Sequence, residues 1–289
     1  MINNNLFYKS TSAIYPPFKN GLYLEEYFLK KILEEKPVLK RKYIPALWTN
    51  FQIENWFVNK KDEMQKDLDE WFKENPSREG YFTVIQHDDG SKLDFKGKDV
   101  LVYGCCSGDI EIPLIYEDKK EILSSLKQKS FMDKKVLCSF VGNLTHNVRH
   151  LLFNILKDNH DFILINSGGW NISVNKALQY KFLDLSLDSK FMLCPRGAGR
   201  SSFRFFEAFK LGCIPVYVWD DKNWLPFKNK IDYSKLCVVV HESELKLLHN
   251  ILDNINIEKY NQMKNYYNSI KYLYSLDGVY NEIISSLSV

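Results

Sequence analysis

Several things are missing from this 289-residue sequence, and each absence excludes something. Met1 is followed by INNNLFYKS, with no basic start leading into an apolar stretch, so no secretory leader is expected. No apolar run approaches the roughly 20 residues that span a bilayer. The six cysteines are Cys105, Cys106, Cys138, Cys194, Cys213 and Cys237, and none form C-x-x-C. Most sit inside apolar runs, so buried free thiols in a reducing compartment are expected, not a disulfide framework. The net charge is only +3, which demands neither nucleic acid nor an anionic membrane as partner. Internal repeats and low-complexity linkers are absent. No G-x-G-x-x-G follows a strand pattern, which disfavours a nicotinamide-dependent dehydrogenase. Asn143-Leu144-Thr145 and Asn171-Ile172-Ser173 are formal glycosylation acceptors, expected to stay unmodified without an export signal.

What is present is ordinary globular material, 45% hydrophobic and rich in aromatics at 15%, enough for two modest domains. Short β-rich runs alternate with amphipathic helices, which predicts parallel α/β layers. In the first half the strand candidates are Leu6–Tyr8, Tyr43–Trp48, Tyr81–Gln86, Val100–Tyr103 and Ile110–Ile115. The clearest helix there is Lys61–Lys73, with Met64, Leu68, Trp71 and Phe72 as its apolar stripe and Asn75-Pro76-Ser77 as its stop. The second half reads more regularly. Strands are predicted at Val136–Val141, Phe162–Asn166, Phe191–Cys194, Ile214–Trp219 and Cys237–Val240. Helices are predicted at Val148–Leu156, Asn175–Leu183, Ser202–Leu211, Glu242–Ile255 and Tyr260–Tyr274. That is a doubly wound unit with ligand loops at its strand ends. The charged stretch Glu117–Lys135 is the candidate junction between halves.

Residues 194 to 216, CPRGAGRSSFRFFEAFKLGCIPV, concentrate the chemistry. A Gly-rich turn opening a helix offers free N–H groups and a positive dipole end. Ser201 and Ser202 add hydroxyl donors; Arg196, Arg200 and Arg204 add permanent charge. Arg200, Arg204 and Glu207 share one narrow face if the helix reaches back that far. They form either a solvated salt-bridged face or a ligand face. A carboxylate one or two turns in suits sugar hydroxyls such as a ribose diol, so the set suggests a nucleoside diphosphate. Gly212 stands where a helix C-cap glycine belongs.

At this point the residues resemble a known family. The run LCPRGAGRSSFRFFEAFKLGCIPV resembles the signature of the exostosin-like glycosyltransferases (glycosyltransferase family 47), with Leu225-Pro226-Phe227 following. Ser139-Phe140-Val141-Gly142-Asn143 with Arg149, Ile231-Asp232-Tyr233 and Cys237–Glu242 are similar to further landmarks. The likeness is dense over residues 136–245. Before it, Tyr43–Trp48 with Pro45, His87-Asp88-x-Gly90 and Asp109–Pro113 resemble the family only faintly.

The resemblance implies a GT-B fold, two Rossmann-like domains facing across a cleft. Residues 1–128 would bind the acceptor and 129–274 the nucleotide sugar, and the tail 275–289 would pack back on the first domain. It implies inverting transfer of a sugar, a pentose such as xylose being favoured, from a UDP-sugar to a hydroxyl of an oligosaccharide or glycoprotein glycan. Carried over, Arg149, Ser202 and Arg204 would contact the diphosphate or donor within a site that also includes Gly142, Gly197 and Ser201. Glu207 would hold the ribose, and Arg196 either contacts the donor or braces the loop. Asn166 to Trp170 would meet the uracil. The general base would be Asp88, with His87 orienting it or itself the base; the competing reading of Asp-Asp-Gly is a plain polar turn. No cofactor or metal is expected: Asp67-Leu68-Asp69 is formally D-x-D but lies mid-helix, and no cluster has metal spacing. Trp48, Trp56, Tyr15 and Phe18 either stack on acceptor sugars or fill the core. The family's usual anchor and stem have no counterpart, so a soluble, cytoplasmic member is expected. The competing function is a nucleotide-sugar-binding or scaffold protein without catalysis.

Overall fold

Parallel strands organise both halves of the chain, of which the computed structural model describes residues 1–9, 21–168 and 175–288. A 3-10 turn at Asn5–Tyr8 precedes α1 (Leu24–Glu35), β1 (Lys42–Tyr43), α2 (Trp48–Gln52), α3 (Phe57–Glu74), β2 (Tyr81–Ile85), β3 (Val100–Gly104) and β4 (Ile110–Glu111). The four strands lie side by side in chain order, all parallel. Every residue of β2 is buried, as expected of a parallel strand covered on both faces.

Residues 112–135 lead to the second unit. It contains β5 (Val136–Gly142), α4 (Asn147–Leu156), β6 (Phe162–Asn166), α5 (Lys176–Asp188), β7 (Ser189–Pro195), α6 (Phe203–Lys210), β8 (Ile214–Trp219), α7 (Tyr233–Leu236) and β9 (Val238–His241). A 3-10 turn at Glu242–Leu247 leads into α8 (Leu248–Asp253) and α9 (Ile257–Ile270), and a second at Lys271–Tyr274 leads into α10 (Leu276–Leu287). The sheet order is β6-β5-β7-β8-β9, all parallel. This is a doubly wound sheet whose direction of growth reverses between β5 and β7. One apolar cluster runs from Phe28 and Phe82 of the first unit to Phe205, Phe209 and Leu225 of the second. Trp224 donates its indole N–H across the boundary to the Gly104 carbonyl at 3.2 Å. The architecture is α/β and GT-B.

Most predicted elements of the second half are found, Phe162–Asn166 and Ile214–Trp219 to the residue. Differences cluster in the first half and have backbone causes. Leu6–Tyr8 is a 3-10 turn, capped by the Asn4 side chain accepting from Leu6 N–H. The strand expected over Tyr43–Trp48 stops at Tyr43, because Pro45 has no N–H for a ladder and Trp48 already begins α2. Likewise Ile110–Ile115 shortens to two residues before Pro113. The segment read as a tail is largely helix. Tyr280 of α10 packs on Phe28 of α1 with ring centroids 5.2 Å apart, and Ser286 Oγ lies 2.7 Å from the Tyr103 hydroxyl. All six cysteines are buried free thiols. Among the described residues, no helix is long and apolar enough to cross a membrane.

Candidate active site

A cavity of about 460 Å³ opens between the two sheets, with walls from both. Its second-unit wall forms where β5 and β7 part. The chain leaves β5 through α4 toward β6, and leaves β7 through α6 toward β8, so two neighbouring strand ends diverge and leave a crevice. Arg149, from the first turn of α4, bridges that crevice. Its Nε donates to the Arg196 carbonyl at 2.8 Å, Nη1 to the Asn143 carbonyl at 2.7 Å and Nη2 to the Pro195 carbonyl at 3.3 Å. Gly197 admits this guanidinium, since a Cβ there would lie 3.1 Å from Nη2. Burial, helped by the nearby charge of Arg204, lowers the Arg149 pKa to about 10. Among the described residues no carboxylate forms a salt bridge with it, though the charge of Asp88 acts on it from across the cavity.

α6 supplies the rest of this wall. Ser202 is its N-cap, the hydroxyl accepting from Arg204 N–H at 3.3 Å, and Ser201, Ser202 and Phe203 face the cavity with the helix N-terminus. Arg204 also lines the cavity. It stacks on Phe182, 4.0 Å from the ring centroid, and donates to the Val141 carbonyl at 3.2 Å. Its other partner is Glu207, in an ion pair. The sequence assigned Glu207 to ribose. Here it is only 2% exposed, does not line the cavity, and also accepts from the Tyr116 hydroxyl at 2.7 Å. It anchors Arg204 from behind.

Arg196 takes the bracing role. Nη1 donates to Asp220 Oδ1 at 2.8 Å and Asp221 Oδ1 at 2.7 Å, and Nη2 to the Ala198 carbonyl at 3.1 Å. Arg200 precedes the helix instead of extending its face, and pairs with Asp221 at 2.7 Å. That bond, with Arg196 nearby, holds the Asp221 carboxyl far below the usual range. Gly212 has φ +72 after α6, where a side chain would also strike Gln128. Gly142 lines the cavity; Asn166 is exposed and does not line it, its Oδ1 accepting from Gly168 N–H at 3.1 Å. Ser167 reaches in instead, donating to Asn143 Oδ1 at 2.5 Å. The Asn143 acceptor of the first glycosylation triplet is thus engaged inside the crevice. Trp170 and the Asn171 triplet lie outside the described residues.

The first-unit wall carries Gln86, His87 and Asp88 at the end of β2, with Tyr23 and Thr49 beside them. The turn is well made: Gly90, at φ +74, donates to the His87 carbonyl at 3.1 Å, and Gln52 Nε2 donates to the Gly90 carbonyl at 2.9 Å. Polar-turn chemistry and a cavity-facing carboxylate therefore coexist. Asp88 opens to the cavity, yet protein packs round its carboxyl closely enough to raise its pKa. The neighbouring Cys106 thiol, the charge of Arg149 and the Gly199 backbone oppose that rise, and Asp89 adds to it. His87 is lowered to about 4 by burial and by Lys92, and its Nδ1 accepts from Asp89 N–H at 3.2 Å. The imidazole is uncharged at neutral pH and a weak base.

Behind this wall sits Glu25, fully buried, accepting from Gln86 N–H at 2.5 Å, Thr49 N–H at 2.9 Å and the Thr49 hydroxyl at 2.7 Å. Burial raises its carboxyl to about 7. Tyr23, Glu25, Thr49 and Cys106 were not found from the sequence. They lie in separate segments with no local motif, and only tertiary packing gathers them. The spacing of Leu24, Phe28 and Ile32 was the one available signal, for the helix that carries Glu25.

Asp67 and Asp69 lie on α3, engaged with Asn4 and with Lys96. Among the described residues no three His, Cys, Asp or Glu side chains gather as a metal set. Trp48 is wholly buried, its indole N–H donating to Thr83 Oγ1 at 2.7 Å, so it serves the core. Trp56 is half-buried outside the cavity wall, while Tyr15 and Phe18 lie outside the described residues.

Comparison with known proteins places this geometry. The model of the exostosin GT47 domain matches residues 93–255. The chain is 28% identical over 158 residues to an exostosin-1 homolog of Caenorhabditis elegans, covering 47% of this chain and 41% of that protein. It is 29% identical over 173 residues to exostosin-1 of Drosophila melanogaster, covering 52% of this chain and 22% of that one. A probable glucuronosyltransferase of Physcomitrium patens is 42% identical over 69 residues, 24% of this chain and 15% of that protein. The chain thus spans well under two thirds of these relatives' own lengths.

Proposed function

The chain belongs to the exostosin GT47 family, and from that premise we propose that it is an inverting glycosyltransferase using a UDP-sugar and a glycan hydroxyl. One observation carries the reading: a crevice holding Arg149, Arg204 and the α6 N-terminus faces Asp88 across a single cavity. The diphosphate would lie against the two guanidiniums, the Ser201 hydroxyl and the helix N–H groups. Asp88 would take the acceptor proton as the acceptor oxygen attacks the anomeric carbon. The sugar–phosphate bond would break on the opposite side, and the leaving UDP would keep the bonding pair, with its charge held by the arginines.

His87 is poorly suited to the base's task because burial keeps its proton affinity low. The donor would be compact and uncharged, a pentose such as xylose. A cavity of about 460 Å³ is at the small end for ligand sites. A sugar carboxylate would also need a spare cation, and Arg196 and Arg200 are already committed to Asp220 and Asp221. The fixed cations would take the charge-neutralising role a divalent ion plays elsewhere, so turnover should survive EDTA.

The test is UDP release from UDP-xylose and UDP-glucuronate over a panel of glycan acceptors, for the native chain and Asp88→Asn. The expected result is acceptor-dependent release, faster with UDP-xylose, lost in Asp88→Asn while UDP still binds. UDP binding with no turnover on any acceptor would favour a nucleotide-sugar-binding protein. Near-normal turnover in Asp88→Asn would remove Asp88 as the base.

A further inference from the structure

Asp88 belongs to the first unit, but it packs against the loop of the second unit that leads into α6. Gly199, within that loop, lies directly against the Asp88 carboxylate and the Cys106 side chain. Cys106 stands just beyond β3, fully buried, with its thiol beside the same carboxylate. The packing is close: a Cβ on Gly199 would lie 2.6 Å from Cys106 Sγ, 2.7 Å from Cys106 Cβ, and well inside contact distance of Asp88 Oδ1. Nothing larger than glycine fits there without displacing the carboxylate or the thiol. Ser201, two residues after Gly199, faces the cavity with Ser202 at the start of α6.

We infer that Cys106 and Gly199 are positioning residues that fasten the Asp88 carboxylate to the donor-binding loop, so that one loop aligns both the diphosphate and the base. The inference rests on the reading of Asp88 as general base. Cys106 is suited to the task because burial and the neighbouring Asp88 charge hold the thiol protonated, leaving it a donor to an ionised carboxylate. The other charged or titratable groups facing Asp88 are Asp89 on its own turn, Arg149 from α4 and Cys105 next to Cys106. Removing the thiol takes away a polar neighbour that favours the ionised carboxylate, which raises the carboxylate's proton affinity.

The experiment follows the rate of UDP release against pH, with UDP affinity measured separately, in four variants. Cys106→Ala should move the acid limb of kcat upward by about one pH unit. Cys106→Ser, which keeps a donor, should bring the limb back toward the native position. Gly199→Ala, which crowds the carboxylate and the thiol together while leaving both groups chemically intact, should lower kcat by about 100-fold through misplacement of the base. UDP affinity should change no more than about threefold in these variants, against the tenfold that one lost charge-assisted contact to the diphosphate would produce. A native acid limb in Cys106→Ala, or native kcat in Gly199→Ala, would overturn the inference. Asp88→Asn is the control: if it turns over normally, the base assignment falls and the inference with it. If it is dead while Cys106→Ala and Gly199→Ala behave as native, only the coupling falls.

Discussion

Arg149 and Arg196 show how two residues of one type can be held in different ways. Arg149 is anchored by carbonyl oxygens, which fix its plane without cancelling its charge. Arg196 spends its charge on Asp220 and Asp221. Arg196→Ala should therefore lower the melting temperature, by loosening residues 196–200, more than it weakens UDP binding. A thermal scan alongside a UDP titration separates the two, and equal losses in both would contradict the division. Asp88 gives a pH signature. As the proposed base it would act in its ionised form, and its pKa is raised, so kcat/KM should fall as pH drops through a value above the ordinary aspartate range. A profile flat down to pH 4 would contradict this. That Gly197, Ser201, Ser202 and Arg204 would gather at one cavity wall was legible because a Gly/Ser/Arg turn before a helix has a local meaning. The burial of Glu207 was not legible. Sequence spacing puts it on the face of Arg204, but the Tyr116 hydroxyl that helps bury it arrives from another segment.

Elements of the second unit read well because its strands are hydrophobic runs set between amphipathic helices, so periodicity changes sharply at each boundary. Those of the first unit read poorly where proline or a short strand leaves little pattern, as at Pro45 and Pro113. The link between β2, α1 and α2 is also invisible in one dimension, since it runs through the buried Glu25 carboxyl. That link has a pH consequence. The folded-state pKa of about 7 stands above the ordinary glutamate value of 4.5. The protonated form is thus favoured by folding. Its stabilising contribution is complete below the unfolded pKa and is lost as pH rises through about 7. The difference is worth on the order of 3 kcal/mol. Denaturant midpoints should fall between pH 5 and 8 in the native chain and fall less in Glu25→Gln. Parallel slopes in the two would exclude Glu25 as the cause.

At the scale of the whole molecule, the two units share one apolar core, and α10 returns from the end of the second to cover α1 of the first. Tyr280 is 1% exposed at that contact. Tyr280→Ala should cost about 3–5 kcal/mol, as large buried aromatics do, with the native UDP affinity kept in the folded fraction. A loss below 1 kcal/mol by chemical denaturation would show that α10 is not integral to the fold. The cavity depends on this arrangement, because its walls come from different sheets and the residues 142–204 and 86–88 must face each other. In the proposed function the crevice between β5 and β7 holds a nucleoside diphosphate by fixed cations. Calorimetric titration of UDP in the presence of EDTA, into the native chain and Arg149→Ala, tests it most directly. The account predicts metal-free binding that weakens by about 10- to 100-fold on loss of the guanidinium. Equal affinities in the two proteins, or binding that appears only when a divalent ion is restored, would contradict it.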